Sequence, residues 1–198
     1  MLSYNELYKV CRECKRCGLS SGRKNVVFGE GNVRAKIMFV GEGPGRDEDI
    51  QGRPFVGRAG QLLTRMIESI DLKRGDVYIA NIVKCRPPNN RVPLPEEANE
   101  CLPYLRNQVA IVRPKIIVCL GATAGTYIID RNLRITRDRG VWTERKGFYL
   151  IGTYHPAALL RDESKKKDAW EDFKAIRDKY RELALQDAED SKPRNDGE

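Results

Sequence analysis

Four short apolar runs constrain this chain more than any other feature: "KIMFVG" (36–41), "VYIANIV" (77–83), "KIIVCLG" (115–121) and "FYLIGTYH" (148–155). They are rich in Ile and Val and mostly lack clean period-two alternation, as strands buried on both faces do. Segments of helical character lie between them. "RAGQLLTRMIESI" (58–70) puts Leu62, Leu63, Met66, Ile67 and Ile70 on one face at helical spacing. "PEEANECLPYLRNQVAIV" (95–112) opens on a proline suited to a first helical turn, while Pro103 predicts a kink or a split. "ATAGTYII" (122–129) fits a short helix and "ITRDRGVWTER" (135–145) an irregular turn or small hairpin. Residues 164–185 read as a charged surface helix with Ala169, Trp170, Phe173, Ile176 and Tyr180 turned inward. Strands alternating with helices predict an α/β layer fold around a mainly parallel sheet of four strands.

In such a sheet the ligand site lies beyond the carboxyl ends of the strands. The residues directly after each strand are therefore informative. "GEGPGRDEDIQGRPF" comes after the first, Asn81 stands in the end of the second, and "GATAG" comes after the third. "HPAALLR", with the only histidine of the chain, comes after the fourth. The glycine loop "VGEGPG" (40–45) is not a dinucleotide fingerprint, because Arg46 stands where the third glycine belongs, and it lacks the Gly-Lys-Ser/Thr of a P-loop. Glycine, acid, amide, aromatic and histidine still converge on one sheet edge.

The length of 198 residues suits one domain, expected over residues 1–185, with 186–198 as a disordered acidic tail. The tail from Asp187 carries net −3, so the remaining residues carry +11 of the net +8. A basic body favours polyanionic partners. No apolar stretch reaches the roughly 20 residues of a membrane span. The opening residues lack a signal-peptide pattern, and the expectation is a cytoplasmic protein. Six cysteines in that compartment point to metal rather than disulfides. Cys14 and Cys17 form a C-x₂-C pair, and Cys85 and Cys101 complete a four-sulfur shell that suits zinc or an iron–sulfur cluster alike. Cys119 lies inside a strand and reads as core.

"VVFGEGN" (26–32), "VGEGPG" (40–45), "GRPFVGRAGQLL" (52–63), "YIANIVKCRPP" (78–88) and "HPAALLR" (155–161), in this order, resemble the family-four uracil-DNA glycosylases. These are the iron–sulfur-containing, thermostable type of bacteria and archaea. The resemblance implies a three-layer α/β/α sandwich and a structural [4Fe–4S] cluster on Cys14, Cys17, Cys85 and Cys101. Cys11 lies outside that pattern, as an alternative to Cys14. It also implies a monofunctional enzyme of base excision repair, a cytoplasmic, nucleoid-associated monomer acting on single- or double-stranded uracil-containing DNA. A replication sliding clamp and other repair proteins are its candidate partners.

The resemblance carries residue roles too. Phe55 matches the aromatic that stacks on the base, and Asn81 the reader that donates to uracil O4 and accepts from N3–H. His155 matches the donor to uracil O2. Gly43 lines the base site where the best-known uracil glycosylases carry an aspartate, so the carboxylate must come from elsewhere. Glu48 is the first candidate, with Glu42 in support and Asp47 and Asp49 nearby. Leu159 or Leu160 would wedge into the minor groove, with Arg161 meeting phosphate or base edges. The competing reading starts a core helix at those leucines. Arg53, Arg58, Arg86 and Arg91 are candidate phosphate contacts. Superfamily members acting on hypoxanthine, xanthine or ethenocytosine are the alternative enzymes, and a metal-bearing nucleic-acid binder is the alternative outside enzymes.

Overall fold

The structure, a computed structural model, describes residues 2–190. Helices α1 (Tyr4–Arg12) and α2 (Leu19–Gly22) lead into strands β1 (Glu30–Gly31) and β2 (Ile37–Gly41), helices α3 (Arg46–Gln51) and α4 (Arg58–Glu68), and strand β3 (Tyr78–Asn81). Helix α5 (Pro95–Val112), strand β4 (Ile116–Leu120), and helices α6 (Ala122–Ile128) and α7 (Ile135–Asp138) come next. Strands β5 (Trp142–Arg145) and β6 (Phe148–Thr153) and helices α8 (Pro156–Arg161) and α9 (Lys166–Asp190) complete the described chain.

The sheet has six strands in the order β1-β3-β2-β4-β6-β5, not the expected four. The four apolar runs are its parallel centre, β3, β2, β4 and β6. The two additions are antiparallel edges. Strand β1 is two residues long and β5 reads "WTER". Neither is apolar enough to announce itself, and short, charged edges resist pairing with another chain.

Alternate residues of the central strands serve opposite layers. Met38, Val40, Tyr78, Ala80, Ile117, Cys119 and Leu150 pack in the core shared with α1 and α5. Ile37, Phe39, Ile79, Ile116, Val118, Leu120 and Ile151 face α4 and α9 through Leu63, Ile67, Phe173 and Ile176. The result is a three-layer α/β/α sandwich, and because both faces are buried both alternating sets are apolar.

Three expectations need correction. Helix α5 runs unbroken through Pro103. The carbonyl that Pro103 deprives of a donor belongs to Asn99, which is exposed and open to water. Trp170 is 40% exposed rather than turned inward, while Ala169, Phe173 and Ile176 are buried as expected. Residues 186–190 of the expected tail belong to α9, and 191–198 lie outside the described residues.

Candidate active site

A cavity of about 650 Å³ opens at the carboxyl edge of the sheet. It lies where strand order reverses around β2, the position at which open α/β sheets bind ligands. Glu42, Gly43, Glu48, Phe55, Asn81 and His155 all line it, Glu48 from the first turn of α3 and the others from loops or strand ends. No lysine lines it among the described residues.

His155 caps helix α8. Its Nδ1 accepts the backbone N–H of Ala157 at 3.1 Å, with Pro156 at the first helical position. An Nδ1 that accepts carries no proton, so a neutral ring holds its proton on Nε2. Burial, helped by the Arg161 guanidinium and opposed by Glu48, pushes the imidazole pKa down to about 4. The histidine is thus a neutral Nε2–H donor at the cavity wall.

Asn81 ends β3 and pairs in register with Gly41 at the end of β2. It is 1% exposed, and its Oδ1 has no hydrogen-bond partner among the described residues. An orphaned buried acceptor costs about 1–3 kcal/mol, so its presence in a cavity wall calls for a ligand that donates. Phe55 lies beside it, its ring centroid 5.5 Å from that of His155. Phe55 adopts φ 51°, the left-handed region that a bulky residue enters only under local constraint. It is both a core residue and a cavity wall.

Gly41 is what lets these two side chains meet. A Cβ there would lie 2.5 Å from Asn81 Oδ1 and 2.5 Å from Phe55 Cζ. Gly41→Ala is expected to cost on the order of 10²-fold in activity, the typical effect of an ångström-scale misplacement. A thermal melt should report an intact fold, and a variant of full activity would remove Gly41 from the site. Gly43 faces the other way, its hypothetical Cβ 2.7 Å from Val83 Cγ2.

The acids divide by their partners. Glu48 Oε1 accepts from the amides of Val56 and Gly57, both at 2.9 Å, and Oε2 accepts from Gly45 at 3.1 Å. This carboxylate therefore clamps the start of α3 to the segment after Phe55 while lining the cavity. Glu42 accepts through Oε2 from the Thr123 hydroxyl, and its Oε1 has no hydrogen-bond partner among the described residues. Buried Asp49 accepts from the amides of Lys24 and Asn25 and is structural. Asp47 is exposed.

The uracil DNA glycosylase superfamily model matches residues 28–174. The chain belongs to this superfamily. It is 45% identical to the type-4 uracil-DNA glycosylase of Archaeoglobus fulgidus, over 89% of this chain and 92% of that protein. Identity to the type-4 enzyme of Thermotoga maritima is 48%, over 83% and 88% of the two chains. For the type-4 enzyme of Sulfurisphaera tokodaii it is 50%, over 83% and 79%.

In this superfamily member the two leucines after His155 part company. Leu159 is 1% exposed and packs with Tyr154 and Ala169 against Leu62 and Met66. It is a core residue and not a wedge, because α8 lies on α4. Leu160 is partly exposed and Arg161 exposed, with Arg161 lining the cavity. Among the candidate phosphate contacts, Arg53 pairs with Glu30, Arg91 with Glu97, and Arg86 donates to Asn90. Exposed Arg58 and Arg161 form no ion pair or hydrogen bond through their side chains among the described residues.

The cysteines of this glycosylase-superfamily chain gather elsewhere. Cys14 and Cys17 from the loop after α1, Cys85 after β3 and Cys101 on α5 line one small cavity, with Cys11 also on its wall. Donors face the sulfurs: Arg23 Nη1 lies 3.2 Å from Cys85 Sγ, and the amide of Lys84 3.2 Å from Cys101 Sγ. Burial pushes the thiol of Cys101 up to about 11 and that of Cys11 to about 12, against the pull of Lys84. No three His, Cys, Asp or Glu among the described residues converge on a single ion. Four sulfurs with N–H donors and flanking cations nonetheless line this one cavity, a set of residue types that suits a thiolate-ligated group. Cys119 is fully buried in β4, as expected.

Sequence reasoning missed Gly41 and Thr123 as contributors. The position of Gly41 at the end of β2, and of Thr123 in the first turn of the helix that follows β4, was the available signal. It missed Lys84 as well, a buried cation for which a polar residue between Val83 and Cys85 gives no hint.

Proposed function

We infer that this protein is a uracil-DNA glycosylase that flips uracil out of DNA and hydrolyses its N-glycosidic bond, leaving an abasic site for base excision repair. The observation that carries this is the pairing of a partnerless acceptor, Asn81 Oδ1, with a neutral Nε2–H donor on one cavity wall. Uracil offers the complement, an N3–H donor beside the O2 acceptor. Extrusion costs a few kcal/mol of unstacking, which stacking on Phe55 and the Asn81 hydrogen bonds offset.

As the glycosidic bond breaks, the sugar becomes oxocarbenium-like and the electron pair stays on uracil. His155 stabilises the developing charge at O2. Glu48, which acts electrostatically on His155, supplies negative charge near the sugar while its oxygens stay bound to three amides. Glu42, with the freer oxygen, orients the water whose oxygen bonds C1′ and whose proton it accepts. Glu42→Gln is expected to slow release on the order of 10²-fold, within the range for a lost general base, and to melt like the wild type. Glu48→Gln should lose both rate and melting temperature, because its amide –NH₂ would face a backbone N–H. Single-turnover rates and melts separate the two, and a fully active Glu42→Gln would move the water to Glu48.

The four cysteines are suited to hold a [4Fe–4S] cluster, whose contribution when bound is a structural cross-link between the α1–α2 loop, the segment after β3, and α5. Protein purified anaerobically should be brown and contain iron and sulfide. Cys101→Ser should lower iron content and melting temperature together, and a colourless zinc protein would contradict the cluster. No helix of the described residues is long and apolar enough to cross a membrane. In this reading the protein works as a cytoplasmic, nucleoid-associated monomer, binds DNA through Leu160, Arg161, Arg58 and Arg86, and has a replication sliding clamp and other repair proteins as candidate contacts.

The deciding experiment offers oligonucleotides with single uracil, hypoxanthine or xanthine lesions. Release of free uracil, with strand breaks only after alkali, is expected. Release of hypoxanthine or xanthine alone would sink the reading.

A further inference from the structure

Lys84 is 1% exposed, an ammonium group at the heart of the molecule and absent from the walls of the active-site cavity. Burying a cation is costly unless its hydrogen bonds are met. Here Nζ donates to the backbone carbonyl of Asn81 at 2.9 Å and to Gln108 Oε1 at 2.6 Å. Gln108, on α5, is itself fully buried and donates from Nε2 to the Phe28 carbonyl at 2.8 Å and the Tyr78 hydroxyl at 3.1 Å. The Tyr78 hydroxyl in turn meets that of Tyr4 on α1 at 3.1 Å. The backbone of Lys84 is held at both ends, its amide on Cys101 Sγ and its carbonyl by the amide of Val27.

Asn81 needs such support. Its Oδ1 has no protein partner, so only its backbone position and its packing against Gly41 and Phe55 aim the carboxamide. Beyond Asn81 the β2–β3 pairing continues only through the amides of Ile82 and Val83 on the carbonyls of Gly41 and Glu42. The carbonyl of Asn81 is gripped by Lys84, three residues further along, whose Nζ is held in turn by Gln108 on α5.

We propose that Lys84 is a positioning residue for Asn81: it ties the end of β3 to α5 and to the cysteine-bearing segment, and so keeps the base-reading amide in register with its substrate. This rests on Asn81 reading the base. It assigns Lys84 no contact with DNA and no part in proton transfer.

The test is a double-mutant cycle on the full chain, with Lys84→Met, Asn81→Ala and the double variant. Lys84→Met is expected to lower the single-turnover rate of uracil release about 10- to 100-fold. It should weaken inhibition by free uracil about tenfold, while affinity for abasic DNA stays within about twofold of wild type, since only the base reader is disturbed. The double variant should be no slower than Asn81→Ala alone, because residues acting through one contact are not additive. Gln108→Leu, which removes the other acceptor of Nζ, should show the same pattern more weakly and serves if Lys84→Met does not fold. Additive losses in the cycle, or equal losses of free-uracil and abasic-DNA affinity, would overturn the proposal. A wild-type protein that releases no uracil would overturn the functional reading with it, whereas uracil release with additive losses overturns the role of Lys84 alone.

Discussion

His155→Ala is expected to lower the single-turnover rate of uracil excision by on the order of 10²–10³, the usual effect of deleting a donor aimed at developing negative charge. Affinity for abasic DNA should change little, because the lost interaction matters only as the base departs. The structure makes the donor specific: Ala157 occupies Nδ1, so the proton sits on Nε2. Burial and the nearby Arg161 guanidinium hold the pKa near 4, so the ring is neutral throughout the physiological range. The wild-type rate should therefore carry no ionisation from His155 between about pH 5 and 8. Stability should carry one. The unfolded chain binds a proton near pH 6.5 that the folded ring takes up only near 4, so stability falls as the pH drops from about 6.5 towards 4. Melting temperatures across that window should fall less steeply for His155→Ala than for wild type. A wild-type rate that titrates near pH 6.5, with that ionisation missing in the variant, would mean a histidine of ordinary pKa and a different mechanism.

Much of this architecture is legible before folding, for identifiable reasons. Strands β2, β3, β4 and β6 announce themselves because burial on both faces demands uninterrupted Val and Ile. The edges β1 and β5 do not, since backbone pairing at an edge asks little of side chains. The convergence of Phe55, Asn81 and His155 could be read from strand ends, whereas the partners of the acids could not. Glu42 and Glu48 look alike in sequence, yet one carboxylate is held by three amides and the other by a single hydroxyl. The Leu159–Leu160 pair was ambiguous for a related reason. Adjacent helical residues point about 100° apart, and only the packing of α8 against α4 decides that Leu159 is core. Lys84 was opaque because its burial is made tolerable by Gln108, a tertiary partner on α5, and by the carbonyl of Asn81, a backbone group that no side-chain pattern announces.

Asn81→Ala is expected to lower uracil excision by on the order of 10²–10³, the product of two base-edge hydrogen bonds worth about 1–3 kcal/mol each when left unmade. Discrimination should fall with it. A carboxamide with its oxygen towards uracil N3–H presents an acceptor to the N3 lone pair of cytosine. Sites built on such a bond reject the wrong partner by on the order of 10⁴–10⁵. Alanine removes both attraction and repulsion, so the uracil-to-cytosine ratio of excision rates should shrink. Stability should move the other way. Among the described residues Oδ1 has no protein partner, so the substitution breaks no internal hydrogen bond of that oxygen and removes a buried polar atom. The variant should therefore melt at or above the wild-type temperature, lacking only its chemistry. A strand-end cap would give the opposite result, a lower melting temperature with excision retained, because a cap's bonds are spent on its own backbone. The two measurements together thus decide whether this asparagine was kept for the fold or for the base.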